Sequence, residues 1–520
     1  MSDPVAGSAG LCHHAGMAAR TAFADGLRLV DGLRRRLSRG GRRVVLRETH
    51  LSWIVLAGRL AVKVKKPVRL PFVDFSEPDA RRLACEAELG LNRRLAPRLY
   101  RRVVRVRGSP EAPRFAGGDV PIDTVLCMRR FPDGALMSER LAAGRLEPRH
   151  IECLAVRVAR FHDTAEIVRD GDDPVRRSVA PVAQLIEQLG RFETTQWTAE
   201  ARRWLADQAG RLGPVFRSRS AAGAVRDGHG DLHLANAVVL GDDATAFDCI
   251  EFDPALRRID VLADIAFMTM DLQAHGRPDL AHRFLDAYLA ARGDFEGLAV
   301  LRLHEAARAC VRRLVQRLSP GGPAADDTDY LEIARRKMRV RSDRPRLAIT
   351  SGPSGSGKST IAARLVDATG AVRARSDVER KRLGGSPPQG AALYGSDMTA
   401  RTYARLAECA RAALAAGYDM IVDAAFLHRR QRDAFAQLAA ELGVPFTVLA
   451  FDAPAAELAR RVRARAAQGG DPSDADEAVL ASQLRTCDPI DADEAQRTVR
   501  VASSGPVDVA ELAAAWHAHG

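Results

Sequence analysis

The chain has 520 residues, enough for two to four domains of ~100–200 residues each, and its 46% hydrophobic and 28% charged content excludes a disordered, collagen-like or disulfide-scaffold protein. Basic side chains outnumber acidic ones by 78 to 66, a net charge of +12. All of that excess lies in residues 1–342 (56 basic, 44 acidic), and residues 343–520 carry 22 of each sign. The 78 basic side chains are 72 arginines and only six lysines, so the place of each lysine is informative.

The opening Met1-Ser2-Asp3-Pro4 shows no basic segment followed by an apolar one, so no signal peptide is expected. No apolar run approaches the ~18 residues of a membrane span. The eight cysteines, Cys12, Cys85, Cys127, Cys153, Cys249, Cys310, Cys409 and Cys487, form no C-x-x-C pair and read as scattered reduced thiols. These features predict a cytoplasmic protein without a membrane partner. His13 and His14 lie beside Cys12 in an Ala/Gly-rich stretch without further ligands, and residues 1–24 are predicted to be a disordered tail.

Period-2 hydrophobicity predicts strands at 44–46, 53–56 and 60–64, interrupted at Gly58. Helical spacing follows at 78–95, then strands at 100–106 and 124–128, and a mostly helical stretch from 149 to 215. Residues 25–342 thus read as a small, largely β lobe followed by a larger helical lobe. Lys63 lies on the third strand, and a strand lysine paired with a helix glutamate is one half of a kinase nucleotide site. Glu86 and Glu88 both lie on the next helix, and either is placed to be that partner. Lys65 shares the face of Lys63, and with Lys66 the cluster has a surface basic patch as its competing reading.

Further on, His229-Gly230-Asp231 through Asn236 sets an Asp and an Asn five residues apart, and Asp248 ends a strand-like run twelve residues later. Kinase-type phosphoryl transfer uses a loop Asp to receive the acceptor proton, with an Asn and a further Asp to hold the metal ions. A histidine metal site is the alternative, but no third ligand stands at a supporting spacing.

Ser319-Pro320-Gly321-Gly322-Pro323 is a break, yet helical spacing returns at 330–338, so the domain boundary is placed near residue 342. Beyond it, strands predicted at 347–350, 372–375, 420–422, 446–451 and 498–501 alternate with helices, the pattern of a parallel α/β sheet. Gly352-Pro353-Ser354-Gly355-Ser356-Gly357-Lys358-Ser359-Thr360 matches G-x-x-x-x-G-K-[ST] between a strand and a helix, the context the motif requires. Its backbone N–H groups and helix N-terminus suit phosphates. Lys358 is expected at the β- and γ-phosphates and Ser359 at Mg²⁺. Asp423, ending an apolar strand, is the expected second metal-supporting group. Asp377, after the 372–375 strand, is placed to orient or deprotonate an acceptor hydroxyl. The run Arg460-Arg461-Val462-Arg463 precedes a polar Gly469–Asp474 stretch and reads as a lid offering Arg463 to the phosphoryl group, with a solvated helix face as the competing reading.

His229-Gly230-Asp231 through Asn236, with Phe247-Asp248, resembles the aminoglycoside phosphotransferase and choline kinase superfamily, which has a protein-kinase-like fold. That resemblance implies Asp231 as catalytic base, Asn236 and Asp248 as Mg²⁺ ligands and Lys63 at the α/β-phosphates. It also implies Asp264 as the structural Asp after the metal Asp, and Phe161-His162 on a helix preceding the loop. No G-x-G-x-x-G precedes Lys63, and Glu48–Trp53 is expected to form the phosphate-covering turn.

Glu48-Thr49-His50-Leu51-Ser52-Trp53, Lys65-Lys66-Pro67 and Leu91–Pro97, together with the phosphate loop, resemble a bacterial two-domain family in which an aminoglycoside phosphotransferase-like domain is fused to a P-loop kinase. Ser376-Asp377-Val378 with Arg380, Asp423 and the Ser473–Gln483 region are similar to gluconate kinase-type and zeta-toxin-like kinases. The implied architecture is an α+β protein-kinase-like domain (25–342) followed by an α/β P-loop NTPase domain with a parallel sheet (343–520).

The expectation is an ATP- and Mg²⁺-dependent bifunctional kinase that phosphorylates hydroxyls of small-molecule acceptors at two sites. One alternative is a catalytic C-terminal domain governed by a regulatory or substrate-binding N-terminal one. A second alternative is a nucleic-acid-end kinase. The 5% aromatic content and the lack of a stacking-plus-basic motif weigh against that last reading.

Overall fold

The computed structural model describes residues 17–70, 73–118, 120–318, 328–339, 343–384, 395–468 and 476–519. Its contacts divide the chain into two compact units: Met1–Leu205 with Phe216–Met268 and Ala309–Tyr330, and Ala206–Val215 with Thr269–Arg308 and Leu331–Gly520.

In the first unit, α1 (Met17–Leu37) is followed by β1 (Val44–Glu48), β2 (Ser52–Ala57) and β3 (Leu60–Lys65). Short strands β4 (Arg69–Leu70) and β5 (Val73–Asp74) lead to α2 (Pro78–Arg93), then β6 (Tyr100–Gly108), β7 (Pro113–Arg114) and β8 (Asp123–Arg129). The sheet is antiparallel in the order β1-β2-β3-β8-β6-β7. Alternation along β3 sends Val62 and Val64 to a core shared with Trp53, Val55 and Val125 and capped by Leu29, Val30 and Leu33 of α1. Lys63 and Lys65 therefore share the other face. The helix starting at Met17 corrects the expected tail over 1–24, because Phe23 stacks on Trp53 with ring centroids 5.2 Å apart. Residues 1–16, with Cys12, His13 and His14, lie outside the described residues.

The larger lobe is helical: α3 (Met137–Ala142), α4 (Pro148–Thr164), α5 (Pro174–Leu189) and α6 (Thr195–Ala221). Hairpin β10 (Ala237–Leu240) and β11 (Asp243–Ala246) carries the loop residues, and β9 (Val225–Asp227) pairs with β12 (Arg258–Asp260). Helices α7 (Val261–Ala274), α8 (Pro278–Arg292), α9 (Leu298–Leu318) and α10 (Tyr330–Met338) follow along the chain, with residues 269–308 and 331–338 belonging to the second unit.

The second unit contains β13 (Leu347–Ser351), α11 (Lys358–Thr369), β14 (Val372–Arg375), α12 (Ser376–Gly384), α13 (Ser396–Ala415), β15 (Met420–Asp423), α14 (Arg429–Leu442) and β16 (Phe446–Asp452). It ends with α15 (Ala455–Gln468), α16 (Glu477–Thr486), α17 (Ala492–Ala495), β17 (Thr498–Ala502) and α18 (Val509–Ala518). All five strands are parallel, in the order β14-β15-β13-β16-β17. Burial on both faces explains the apolar runs of the central strands β15, β13 and β16. The order reverses beside β13, so a crevice opens at its carboxyl end, where the phosphate loop begins.

The limit expected near residue 342 does not separate these units. Residues 269–308 group with the C-terminal sheet, because α8 packs against α11 and β14. Among the described residues, no helix is long and apolar enough to cross a membrane, and the seven described cysteines are free thiols.

Candidate active sites

The first site is assembled on β3, α2 and the loop 229–248. Lys63 Nζ donates to Glu88 Oε1 at 2.8 Å and to Asp248 Oδ1 at 2.6 Å. Helical phase decides between the two candidate glutamates. Arg81, Ala84, Cys85, Glu88 and Asn92 form the buried face of α2, and Glu86, exposed and two residues off that register, pairs with half-buried Arg82 at 3.0 Å. Glu86 is thus corrected as a partner of Lys63. The sequence reading missed that Lys65 also holds Glu88, at 2.5 Å, and pairs with Glu251. Burial alone would raise the Glu88 carboxyl, but the two ammonium groups hold it at about 2. Burial opposes the charge on Lys63, yet Asp248 and Glu88 raise its pKa well above the ordinary lysine value.

Asp231 Oδ2 accepts from Asn236 Nδ2 at 2.8 Å, and Asn236 O accepts from Phe247 N at 2.9 Å, which brings the two halves of the loop together. Asp264 is fully buried and accepts from His229 N at 2.7 Å and Gly230 N at 2.9 Å, with His162 Nε2 at 3.1 Å. Burial would raise its pKa, but these bonds hold it far below the carboxylate range. Asp264 and His162 therefore stand where the resemblance implied, under the Asp231 loop. Asp248 sits at φ +63°, a costly conformation for a non-glycine residue, and its N–H donates to Tyr100 Oη at 3.2 Å. Tyr100 and Glu251 escaped the sequence reading, since nothing local links them to Asp248 and Lys65, 148 and 186 positions away. Lys66 pairs with Glu48 at 2.7 Å, tying the β1–β2 turn to the end of β3.

The second site lies in a cavity of about 1090 Å³ at the carboxyl ends of the parallel strands. Ser354, Gly355, Gly357, Lys358, Ser359 and Thr360 form one wall. Gly352 and Gly355 have φ of +144° and +83°, and a Cβ on either would meet the Phe451 or Leu458 carbonyl oxygen at 2.6 or 2.7 Å. Only glycine permits that approach. Ser356 is buried behind the wall, its hydroxyl donating to Pro353 O at 2.8 Å. Lys358 Nζ lies across the loop, donating to Pro353 O at 2.7 Å and to Ser356 Oγ at 3.2 Å.

Ser359 Oγ donates to Asp423 Oδ1 at 3.2 Å. Among the described residues Asp423 Oδ2 is buried without a hydrogen bond, with the Arg373 and Arg375 guanidinium groups at 3.7 Å. The Ser359 hydroxyl and the Asp423 carboxylate, one of whose oxygens has no hydrogen bond among the described residues, make a donor set that fits Mg²⁺. At the first site, Asn236 and Asp248 offer the same hard oxygen chemistry.

Asp377 and Arg380 line the opposite wall, 4.0 Å apart, with Tyr403 and His428. Arg463 points elsewhere: it pairs with Glu477 at 3.2 Å on the exposed side of α15. Arg461, two residues earlier, faces the cavity, donates to Ser503 O at 2.8 Å and reaches Gly355 O at 3.4 Å. The lid assignment of Arg463 is corrected accordingly, and residues 469–475 lie outside the described residues. Gln483 of α16 also touches the loop, its Oε1 accepting from Ser354 N at 2.8 Å.

The chain thus divides into two units, the second carrying the phosphate loop on a parallel sheet, and residues 347–490 match the family model described as an AAA domain. The chain belongs to the family of the uncharacterized protein Rv2004c of Mycobacterium tuberculosis H37Rv, to which it is 30% identical over 456 residues, covering 84% of this chain and 89% of that one. Among solved structures, a gluconokinase from Sinorhizobium meliloti 1021 is similar at 24% identity, over 34% of this chain and 91% of that one, with a TM-score of 0.25. A choline/ethanolamine kinase family protein from Mesorhizobium loti is similar at 14% identity, over 60% of this chain and 92% of that one, with a TM-score of 0.34.

Proposed function

We propose that this protein is an ATP-dependent phosphotransferase with two nucleotide sites, each serving a small hydroxylated acceptor. The observation that carries this reading is the convergence of the phosphate loop, the Ser359–Asp423 pair and Asp377 on one cavity. There Lys358 binds the β- and γ-phosphates, and Ser359 and Asp423 hold Mg²⁺. The ion, when bound, neutralises charge developing between the β- and γ-phosphates. Asp377 receives the acceptor hydroxyl proton as its oxygen forms the new bond to phosphorus and ADP leaves. Arg461, on the cavity side, ties the loop at Gly355 O to Ser503 O.

In the N-terminal site Asp231 takes the acceptor proton, Asn236 and Asp248 hold Mg²⁺, and Lys63, positioned by Glu88, binds the α/β-phosphates. The Asn236 amide fixes the Asp231 carboxylate, as proton transfer requires.

The test is ATP turnover and acceptor labelling in the full-length protein against a metabolite panel, with Asp231→Ala and Lys358→Ala. Each variant should abolish a different labelled product. If Asp231→Ala leaves every product intact, the N-terminal domain is not an enzyme. Steep salt dependence of RNA or DNA binding, with labelled 5′ ends, would instead favour a nucleic-acid acceptor.

A further inference from the structure

Helix α8 lies outside the domain that the sequence assigns to the phosphate loop, yet it is fastened to that loop's supporting elements. His282 Nδ1 lies 3.0 Å from Asp367 O, and Arg283 pairs with the Asp367 carboxylate, both at the end of α11. Gly370 follows at φ +76°, and a Cβ there would meet His282 Nε2 at 2.8 Å. The close seating of the helix therefore depends on a glycine. One turn beyond His282, Asp286 takes Arg373 in a two-point grip: Nε to Oδ1 at 3.2 Å and Nη2 to Oδ2 at 2.7 Å.

Arg373 is the second residue of β14, and its remaining nitrogen faces the metal-supporting group. Nη1 donates to Ser359 O at 2.9 Å and stands 3.7 Å from Asp423 Oδ2. A single buried guanidinium thus spans Asp286, the backbone of Ser359 and the orphaned oxygen of Asp423. Asp286 both aims that guanidinium and offsets its charge. Without the carboxylate, a buried cation would stand uncompensated beside Asp423, drawn to close on it and repelling a divalent ion.

We propose that Asp286 is a positioning residue of the C-terminal phosphate site: it holds and neutralises Arg373, so that Asp423 stays available to a divalent cation. The proposal rests on the reading of that site as a nucleotide–metal site. It makes α8 a working part of the P-loop unit, and a fragment starting at residue 343 would lack it.

The experiment is Mn²⁺ binding in the presence of ADP, read by electron paramagnetic resonance on the full chain carrying Asp248→Ala, so that only the C-terminal site reports. Asp286→Asn keeps the shape and removes the charge. It should weaken Mn²⁺ binding ~10-fold or more, within the 10–100-fold range typical of residues behind a metal ligand, with metal-free ADP affinity within twofold. Asp286→Glu should stay within threefold of the parent. Adding Arg373→Met to Asp286→Asn should recover part of the loss, because the uncompensated cation is gone. Mn²⁺ binding unchanged in Asp286→Asn, or no recovery in the double variant, would overturn the proposal while leaving the site reading intact. No ADP-dependent Mn²⁺ binding in the parent would sink the site reading and the proposal with it. The Mg²⁺ dependence of the ADP-induced rise in Tm provides a second readout on the same variants.

Discussion

The two clefts handle charge in opposite ways. In the N-terminal one, Glu88 is fully buried between Lys63 and Lys65, and Asp248 and Glu251 close the network, so every charge has a partner within the chain. In the C-terminal one, Lys358 reaches a carbonyl and a hydroxyl of its own loop, and among the described residues a buried oxygen of Asp423 has no hydrogen bond beside a cavity of about 1090 Å³. The first site is therefore built into the stability of its lobe, whereas the second leaves polar atoms for a ligand to satisfy.

The largest effect is expected at Glu88. Truncation to alanine would leave two buried ammonium groups short of a partner, and breaking a buried ion pair this way typically costs ~3–5 kcal/mol. Urea unfolding followed in the first unit should show that loss. Glu86→Ala, on the exposed face of the same helix, should stay within ~0.5 kcal/mol. Equal effects from the two variants would mean the network is not what holds the lobe.

Lys358→Ala should lower ATP turnover at the C-terminal site by ~10²–10³-fold, the scale of removing one pre-placed charge-stabilising group. The melting temperature should barely change, since the loop retains its own hydrogen bonds. Large destabilisation with intact turnover would invert the contrast between the clefts.

The pH dependence follows from the same network. Glu88 is held at about 2 against an ordinary 4.5, so its contribution is fully present above pH 4.5 and is lost as pH falls through 2. Lys63 is raised above 10.5, so its contribution is present below pH 10.5 and is lost only at still higher pH. First-unit stability should fall on acidification between about pH 4.5 and 2, and Glu88→Gln should flatten that slope. The smallest effect concerns the arginines: Arg461→Ala should raise the KM for ATP several-fold, and the surface variant Arg463→Ala should leave turnover unchanged.

Much of this was legible in the sequence, for reasons that differ by residue. The phosphate loop and the carboxylate ending β15 announce themselves because a motif, a strand and a helix must occur in order. Asp231, Asn236 and Asp248 are spaced by one loop and one hairpin, so their convergence is a local property. Glu86 and Glu88 could not be separated by composition, because helical phase depends on which side of α2 meets the sheet. Lys65 was visible by period 2 on the face of Lys63, but its second partner, Glu251, lies 186 residues away and is brought there only by the fold. Arg461 and Arg463 differ by two positions on α15, and the packing of Leu458 and Val462 against Leu480 turns the first toward the loop and the second outward. The grouping of residues 269–308 with the C-terminal sheet had no sequence signal, since Asp286 and His282 look like any residues of a surface helix.

The most direct test of two functional clefts is the number of nucleotides bound. Isothermal titration of the full-length protein with a non-hydrolysable ATP analogue and Mg²⁺ should give two per chain, falling to one in Lys358→Ala and to one in Asp248→Ala. A single nucleotide per chain in the wild type, abolished by one of these variants and untouched by the other, would contradict the account.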